Sequence, residues 1–331
     1  MDSILGMLYG MAIGDALGMP AELWGRDKIQ SYFGYIDQFL DGPKENTAAC
    51  YFKKGQFTDD TAQALVIIDS LQQNDFIVSK QIIGRNLLAW AHTMQAFERN
   101  ILGPSSKAAL SLLQENKDPS AITSKALTNG AAMRIGPVGA LFYSNQQEQL
   151  ISQVHEITSV THASDVAVGG AAMLAYAVCL ALEDAPWDTI IEKSCALYEK
   201  AKTRGAATFS ASPKERLLLA ITYAKKYEKQ EAVFMQKLYD VIGCGTLLSE
   251  SLPTAIAIAY YAKDPNHCAT ICANIGGDTD TIGAMAGALS GAKYGFQSIR
   301  KDWVTMIEQA NDTNLFDYAK TIHAQRTKGA Y

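Results

Sequence analysis

The residues best equipped for chemistry lie in Asn274-Ile275-Gly276-Gly277-Asp278-Thr279-Asp280-Thr281-Ile282-Gly283. Two carboxylates stand one residue apart, each followed by a hydroxyl, behind a glycine pair. The run from 284 to 292 is small and uncharged, as in a helix packed on every side. A buried carboxylate is costly unless paired or bound to a metal, and a helix N-terminus offsets part of that cost. One aspartate suffices for a cap; two aspartates and two threonines exceed it. A second stretch, Phe57-Thr58-Asp59-Asp60-Thr61, opens another apolar run from 62 to 71 in the same way. If both helix starts converge, Asp59, Asp60, Asp278 and Asp280 repel one another strongly unless cations separate them. Two divalent ions balance four carboxylates, and the hydroxyls of Thr58 and Thr281 fill neutral positions. An oxygen-only set favours Mg²⁺ or Mn²⁺ over Zn²⁺. Paired metals serve hydrolysis by activating water and gripping substrate oxygens.

The chain that must position these groups has 331 residues, 48% hydrophobic and 19% charged, with a net charge of -5. That is enough for a sizeable core. An acidic chain without a basic run argues against nucleic acid as a partner. Six cysteines include no Cys-x-x-Cys pair. Cys268 and Cys272, one helical turn apart, read as reduced core residues of a cytoplasmic protein. No basic segment precedes the first apolar run, so no signal peptide is expected. The uncharged run 281–292 is shorter than the ~20 residues of a membrane span, so no membrane partner is expected either.

Residues 3–18 carry a helical apolar pattern in which Gly6, Gly10 and Gly14 recur every fourth position, inviting a second helix to close approach. Gly18-Met19-Pro20 stops it. Asp15 and Glu22 flank the stop; each alone reads as a solvated or capping carboxylate. Residues 26–56 read as a long irregular connection, a length often tied to function. Helices are expected at 79–97 and 107–113, the latter capped by Gly103-Pro104-Ser105-Ser106, and a turn with a short apolar helix at Thr128-Asn129-Gly130 to Arg134. Further helices are expected at 147–159, at 166–182 with Thr161-His162 before its start, and at 186–202, 213–227 and 232–242. After a Gly/Ser/Thr loop at 243–251, helices with proline near the start follow at 253–262 and 265–273. Segments 299–310 and 317–326 close the chain. No period-2 alternation or hairpin signature occurs. The expectation is one all-α domain over 1–331, a compact orthogonal multi-helix bundle with a central dinuclear metal cleft.

Five motifs in order, Gly14-Asp15-Ala16-Leu17-Gly18, Thr58-Asp59-Asp60-Thr61, Asn129-Gly130-Ala131-Ala132-Met133-Arg134, Thr161-His162 and Gly276-Gly277-Asp278-Thr279-Asp280-Thr281, resemble the signature set of the ADP-ribosylglycohydrolases, in a bacterial-type version. The resemblance spans residue 14 to about 295. It implies an all-α fold with two Mg²⁺ (or Mn²⁺) ions, held by Thr58, Asp59, Asp60, Asp278, Asp280 and Thr281. It implies a catalytic or metal-associated role for Glu22, and contact of Asn129 and His162 with ADP-ribose. Asp59, Asp60 and Glu22 are the candidates for moving the proton. Gly103, Ser105, Gly130, Gly276 and Gly277 are the candidate cradle for the substrate, its diphosphate lying on glycine-rich loops and helix starts. Phe57 stands where many members have tryptophan, a change that keeps an apolar support. The implied reaction is hydrolysis of the bond between ADP-ribose and an N- or O-linked acceptor, on an ADP-ribosylated protein or a small ADP-riboside. Two alternatives are hydrolysis of another ribosyl or nucleoside-type compound, and non-catalytic binding of ADP-ribose.

Overall fold

A computed structural model describes residues 1–329. They form seventeen α-helices and no strand: α1 Asp2–Gly18, α2 Arg26–Phe33, α3 Asp59–Gln73, α4 Lys80–Thr93, α5 Pro104–Gln114, α6 Ser120–Thr123, α7 Gly136–Gly139, α8 Gln147–Thr158, α9 Asp165–Leu182, α10 Trp187–Ala201, α11 Pro213–Lys226, α12 Glu231–Lys237, α13 Leu248–Ala262, α14 Pro265–Asn274, α15 Thr279–Tyr294, α16 Lys301–Ala310 and α17 Leu315–Lys328. The helix starts follow the expected chemistry. Ser79, Ser164, Ser212 and Asp264 each accept a backbone N–H of the first turn of the helix they precede, and proline opens α5, α11 and α14.

At the centre α1 and α15 run antiparallel with their backbones in contact. The glycines face one another in register: Gly6 with Gly291, Gly10 with Gly287 and Gly14 with Gly283, while Gly18 meets Thr279. A Cβ at Gly287 would lie 2.0 Å from the Gly10 carbonyl oxygen, and one at Gly14 would lie 2.0 Å from that of Gly283. No side chain fits at these crossings, so the glycines are what permit the approach; Cα–H···O contacts add to its attraction. The register sets the C-terminal end of α1 against the N-terminal end of α15. All residues from Ile4 to Gly18 and from Thr279 to Ala292 are buried. α9, buried from Val166 to Ala181, packs against α8, α10, α13 and α15. The amphipathic helices α10, α11, α16 and α17 form the outer layer.

Three expectations change. The stretch 26–56 is not wholly irregular, because α2 forms at its start and stacks Phe33 against Trp24. The 243–251 loop is shorter, since α13 begins at Leu248 and carries Pro253 in its interior. Pro253 has no N–H to give the Ser249 carbonyl four residues back, and Arg216 Nη1 donates to that carbonyl instead, at 3.1 Å. Third, segments 2–21 and 165–182 are long and apolar enough to cross a membrane, yet 100% and 89% of their best windows are buried inside the molecule. They are the core helices.

Gly287→Ala places a methyl group against the α1 backbone and should destabilise the protein by about 1–3 kcal/mol or more. Gly103→Ala, which meets nothing within 4 Å, should leave the melting temperature unchanged. Equal effects of the two substitutions in thermal melts would refute the close-contact account.

Candidate active site

The glycine register delivers Asp15 from α1 to the first turn of α15 and to the start of α3. Asp15 is fully buried. Its Oδ1 accepts Thr58 N–H at 2.9 Å and lies 2.8 Å from Thr58 Oγ1. Its Oδ2 accepts Thr61 N–H at 3.0 Å and the Thr61 hydroxyl at 2.6 Å. A side chain from a distant helix therefore caps α3, and Thr58, which occupies the N-cap position, does not cap its own helix. Thr58 Oγ1 also lies 3.0 Å from Asp60 Oδ2, so its one proton is shared between two carboxylates. Along the chain Asp15 by itself reads as a solvated or capping carboxylate; the signal for its centrality is that it is the only charge between Ile4 and Gly18.

The two acid pairs converge as expected. Oxygens of Asp15, Asp60 and Asp280 lie within 4.8 Å of one another, and so do oxygens of Glu22, Asp278 and Asp280. Asp280 joins the two groups. Glu22, Asp59, Asp60, Asp278, Asp280 and Thr281 line one cleft together with Gly103, Asn129 and Gly130. Glu22 is placed by a loop clamped from two sides. Asn46 Nδ2 donates to its carbonyl at 2.9 Å, and Leu23, at a left-handed φ of 58°, donates its N–H to Gly277. Asn129 Nδ2 donates to Asp278 Oδ2 at 2.5 Å and to Ser251 Oγ at 3.0 Å.

The electrostatics are unbalanced. Burial, then the Asp15 and Asp278 charges, raises Asp59 to about 8. Burial raises Asp15 to about 6 against the pull of its hydrogen bonds. Burial and neighbouring carboxylates hold Glu22, Asp60 and Asp280 well above the usual range. The cation of this neighbourhood is Arg134, itself fully buried. It donates to Gln63 Oε1 at 2.6 Å, and Gln63 Nε2 donates to Asp59 Oδ2 at 2.9 Å. Its other arm donates to Thr161 Oγ1. With the Thr128 hydroxyl proton given to Ser105 Oγ, Thr128 Oγ1 accepts from His162 Nε2–H at 2.9 Å, and the neutral ring then accepts the Thr161 hydroxyl at Nδ1, 2.8 Å away. Thr128 passes a hydrogen bond to Ser105 Oγ at 2.9 Å. Burial, then Arg134, pushes His162 down to about 3, consistent with that neutral tautomer. One polar chain thus runs from Asp59 to the start of α5. Gln63 had no sequence signal beyond being a polar residue in an apolar run; Arg134 lay inside a motif without a role.

Several candidates sit elsewhere than expected. His162 is completely buried behind Gly130, where a Cβ would meet its ring at 2.9 Å, and it does not line the cleft. Gly276 and Gly277 do not line it either. Both have φ near +85°, and Gly277 N–H donates to the Trp24 carbonyl, so it is not free for a phosphate. A Cβ at Gly277 would lie 2.1 Å from the Cys244 carbonyl oxygen. This pair fastens the Glu22 loop to Asp278. The Ser105 hydroxyl is taken by Thr128, and Ser106 lines the cleft in its place.

A metal centre fits this set. Asp60 Oδ1 is buried without any hydrogen-bond partner, and the surrounding donors are all oxygen.

An all-α bundle with a cleft of carboxylates at two converging helix starts defines a class, and the comparisons agree on it. The family model for ADP-ribosylglycohydrolase matches residues 1–330, and the chain belongs to that family. It is 42% identical to the protein YegU of Escherichia coli (strain K12), over 98% of this chain and 97% of that one. It is 26% identical to the ADP-ribosylarginine hydrolase Tri1 of Pseudomonas putida (strain GB-1), over 97% and 80%. A solved structure described as an ADP-ribosylglycohydrolase-related protein complex superposes with a TM-score of 0.69 at 23% identity, covering 99% of this chain and 98% of that chain, and shares the fold.

The raised carboxylates fix the sign of a pH effect. The metal-free native state retains protons that the unfolded chain loses near pH 4, so its stability falls as pH rises through about 6 for Asp15 and about 8 for Asp59. The metal-free protein should melt at a higher temperature at pH 5.5 than at pH 8, and Mg²⁺ should raise the pH 8 value. A melting temperature that is flat or rising over this window without metal would contradict the assignment.

Proposed function

We propose that this protein is a divalent-metal-dependent hydrolase of the glycosidic bond between ADP-ribose and an N- or O-linked acceptor, with the whole chain acting as one catalytic domain. The observation that carries the metal requirement is the unpartnered, buried Asp60 Oδ1 amid acidic side chains with Arg134 as the neighbouring cation. Family membership and the activity named for the relative Tri1 support the substrate class. Thr58, Asp59, Asp60, Asp278, Asp280 and Thr281 would hold two Mg²⁺ or Mn²⁺ ions. Asp15 supports them from behind, because its oxygens are already engaged by Thr58 and Thr61. Bound there, the ions supply positive charge for the ribose hydroxyls and acidify water.

Among the three candidates for moving the proton, Asp59 and Asp60 are tied to Gln63 and Thr58. Glu22 sits on the clamped loop at the cleft wall and is the group we assign to the acceptor atom. Its raised pKa suits a carboxyl that holds a proton near neutral pH. Asn129 orients Asp278 and presents its remaining polar atoms to substrate. Gly103 and Gly130, without side chains, leave room for the ADP moiety beside the α5 N-terminus. His162 acts through Thr128 and Gly130, as a positioning residue. All six cysteines are unpaired and five are buried, which suits a reducing cytoplasm.

Chelation should abolish release of ADP-ribose from an ADP-ribosylated protein or a small ADP-riboside, and Mg²⁺ or Mn²⁺ should restore it. Glu22→Gln should lower kcat about 10²-fold, the usual scale for lost acid–base help, with ADP-ribose affinity retained. A metal-loaded protein that binds ADP-ribose and cleaves none of these compounds would overturn the hydrolase reading in favour of binding alone.

A further inference from the structure

Each of the four aspartates of the cleft rests one oxygen on an uncharged donor. Asp60 Oδ2 lies 3.0 Å from the Thr58 hydroxyl. Asp278 Oδ2 accepts the Asn129 amide at 2.5 Å, and Asp280 Oδ1 accepts the Thr281 N–H at 2.9 Å. Asp59 is the least enclosed of the four. It is only partly buried, where Asp60, Asp278 and Asp280 are buried. It also lines a separate cavity of about 560 Å³ bounded by Phe57, Trp90 and Tyr318. A short side chain on such a wall has two directions open to it. The side-chain hydrogen bond that Asp59 makes among the described residues is to Gln63, whose Nε2 donates to Oδ2 at 2.9 Å.

Gln63 lies one turn further along α3 and is completely buried beside Ala64, Leu65 and Ile67. An unpaired amide there would be costly, and both of its ends are in use. Arg134 carries donors only, so the group that meets its Nη1 at 2.6 Å is the Gln63 carbonyl oxygen. The amide NH₂ is thereby turned toward Asp59. The guanidinium fixes the amide, and the amide fixes the carboxylate. The spacer also keeps the charge of Arg134 off Asp59. A guanidinium placed directly on that carboxylate would hold both oxygens in an ion pair, whereas an amide supplies a donor without a charge. Resting on the metal-dependent reading above, we propose that Gln63 is the positioning residue of Asp59: it holds Oδ2, turns the carboxylate into the cleft and leaves Oδ1 for a divalent cation. Partners one layer behind a ligand orient it in this way.

Two substitutions test the assignment. Gln63→Met keeps the volume and removes the donor. Gln63→Asn keeps an amide that is one methylene too short to span Arg134 and Asp59. Each should weaken Mn²⁺ binding about tenfold, the lower end for a lost outer partner, as read from the electron paramagnetic resonance signal of free Mn²⁺. Titrations run below the melting temperature of every variant. In an Asp59→Asn background neither substitution should weaken Mn²⁺ further, because a residue that acts through Asp59 has nothing left to act on. A crystal structure of the metal-free Gln63→Met protein should show the Asp59 carboxylate turned from its wild-type position. Unchanged Mn²⁺ affinity in both variants, an equal loss in the Asp59→Asn background, or an Asp59 that keeps its place without Gln63 would overturn the proposal. A wild-type protein that binds no Mn²⁺ would overturn the metal reading and this role with it. Wild-type binding that is indifferent to Gln63 would overturn this role alone.

Discussion

The contact between the backbones of α1 and α15 is the constraint on which the site depends. Two helices normally pack 8–10 Å apart because side chains intervene. Here the facing positions are glycines, and a single methyl group would overlap a carbonyl oxygen. The gain is register. With Gly14 locked on Gly283, Asp15 is held beside Asp280, and neither helix can slide without opening a void or forcing a clash. The small residues along α15 extend this tight packing to α9, α13 and α14, so the site is built on closely packed central helices.

Placing acids on so rigid a frame concentrates negative charge where water cannot screen it. The protein answers in two ways. Asp15 is satisfied internally, by two backbone N–H groups and two hydroxyls, and becomes the cap of α3. That hydrogen bonding fixes the start of α3, and with it Asp59 and Asp60. The remaining acids are left short of donors, with Asp60 Oδ1 wholly unpartnered. Arg134 offsets only part of the charge, and it reaches Asp59 indirectly through Gln63. The proposed cations would relieve this imbalance: the fold withholds the partners that would make the carboxylates inert.

The same economy of positions explains His162 and the Gly276-Gly277 pair. A histidine before a central helix and a glycine pair before an acid both suggest ligand contact when read along the chain. In three dimensions the imidazole fills the space behind Gly130 and relays a fixed hydrogen-bond direction from Arg134 to Thr128. The glycines allow two successive left-handed residues, which tie the Glu22 loop to the Asp278 loop. Both shape the cleft from one layer back.

Much of this was legible in one dimension. The all-helical class followed from the period of the apolar residues. The acids at 59, 60, 278 and 280 were visible because two carboxylates before an uncharged helix exceed what capping requires, and Gly6, Gly10 and Gly14 announced a close helix contact. Local chemistry sufficed for these, since caps, periodicity and glycine spacing act over a few residues. What the chain order could not express was partnership. That Gly14 meets Gly283, that Asp15 caps a helix whose N-cap residue Thr58 lies 43 residues later, and that Gln63 links Arg134 to Asp59 are decided only when distant segments pack. A lone aspartate or a buried glutamine acquires its role from the groups that surround it, and tertiary structure alone supplies those neighbours.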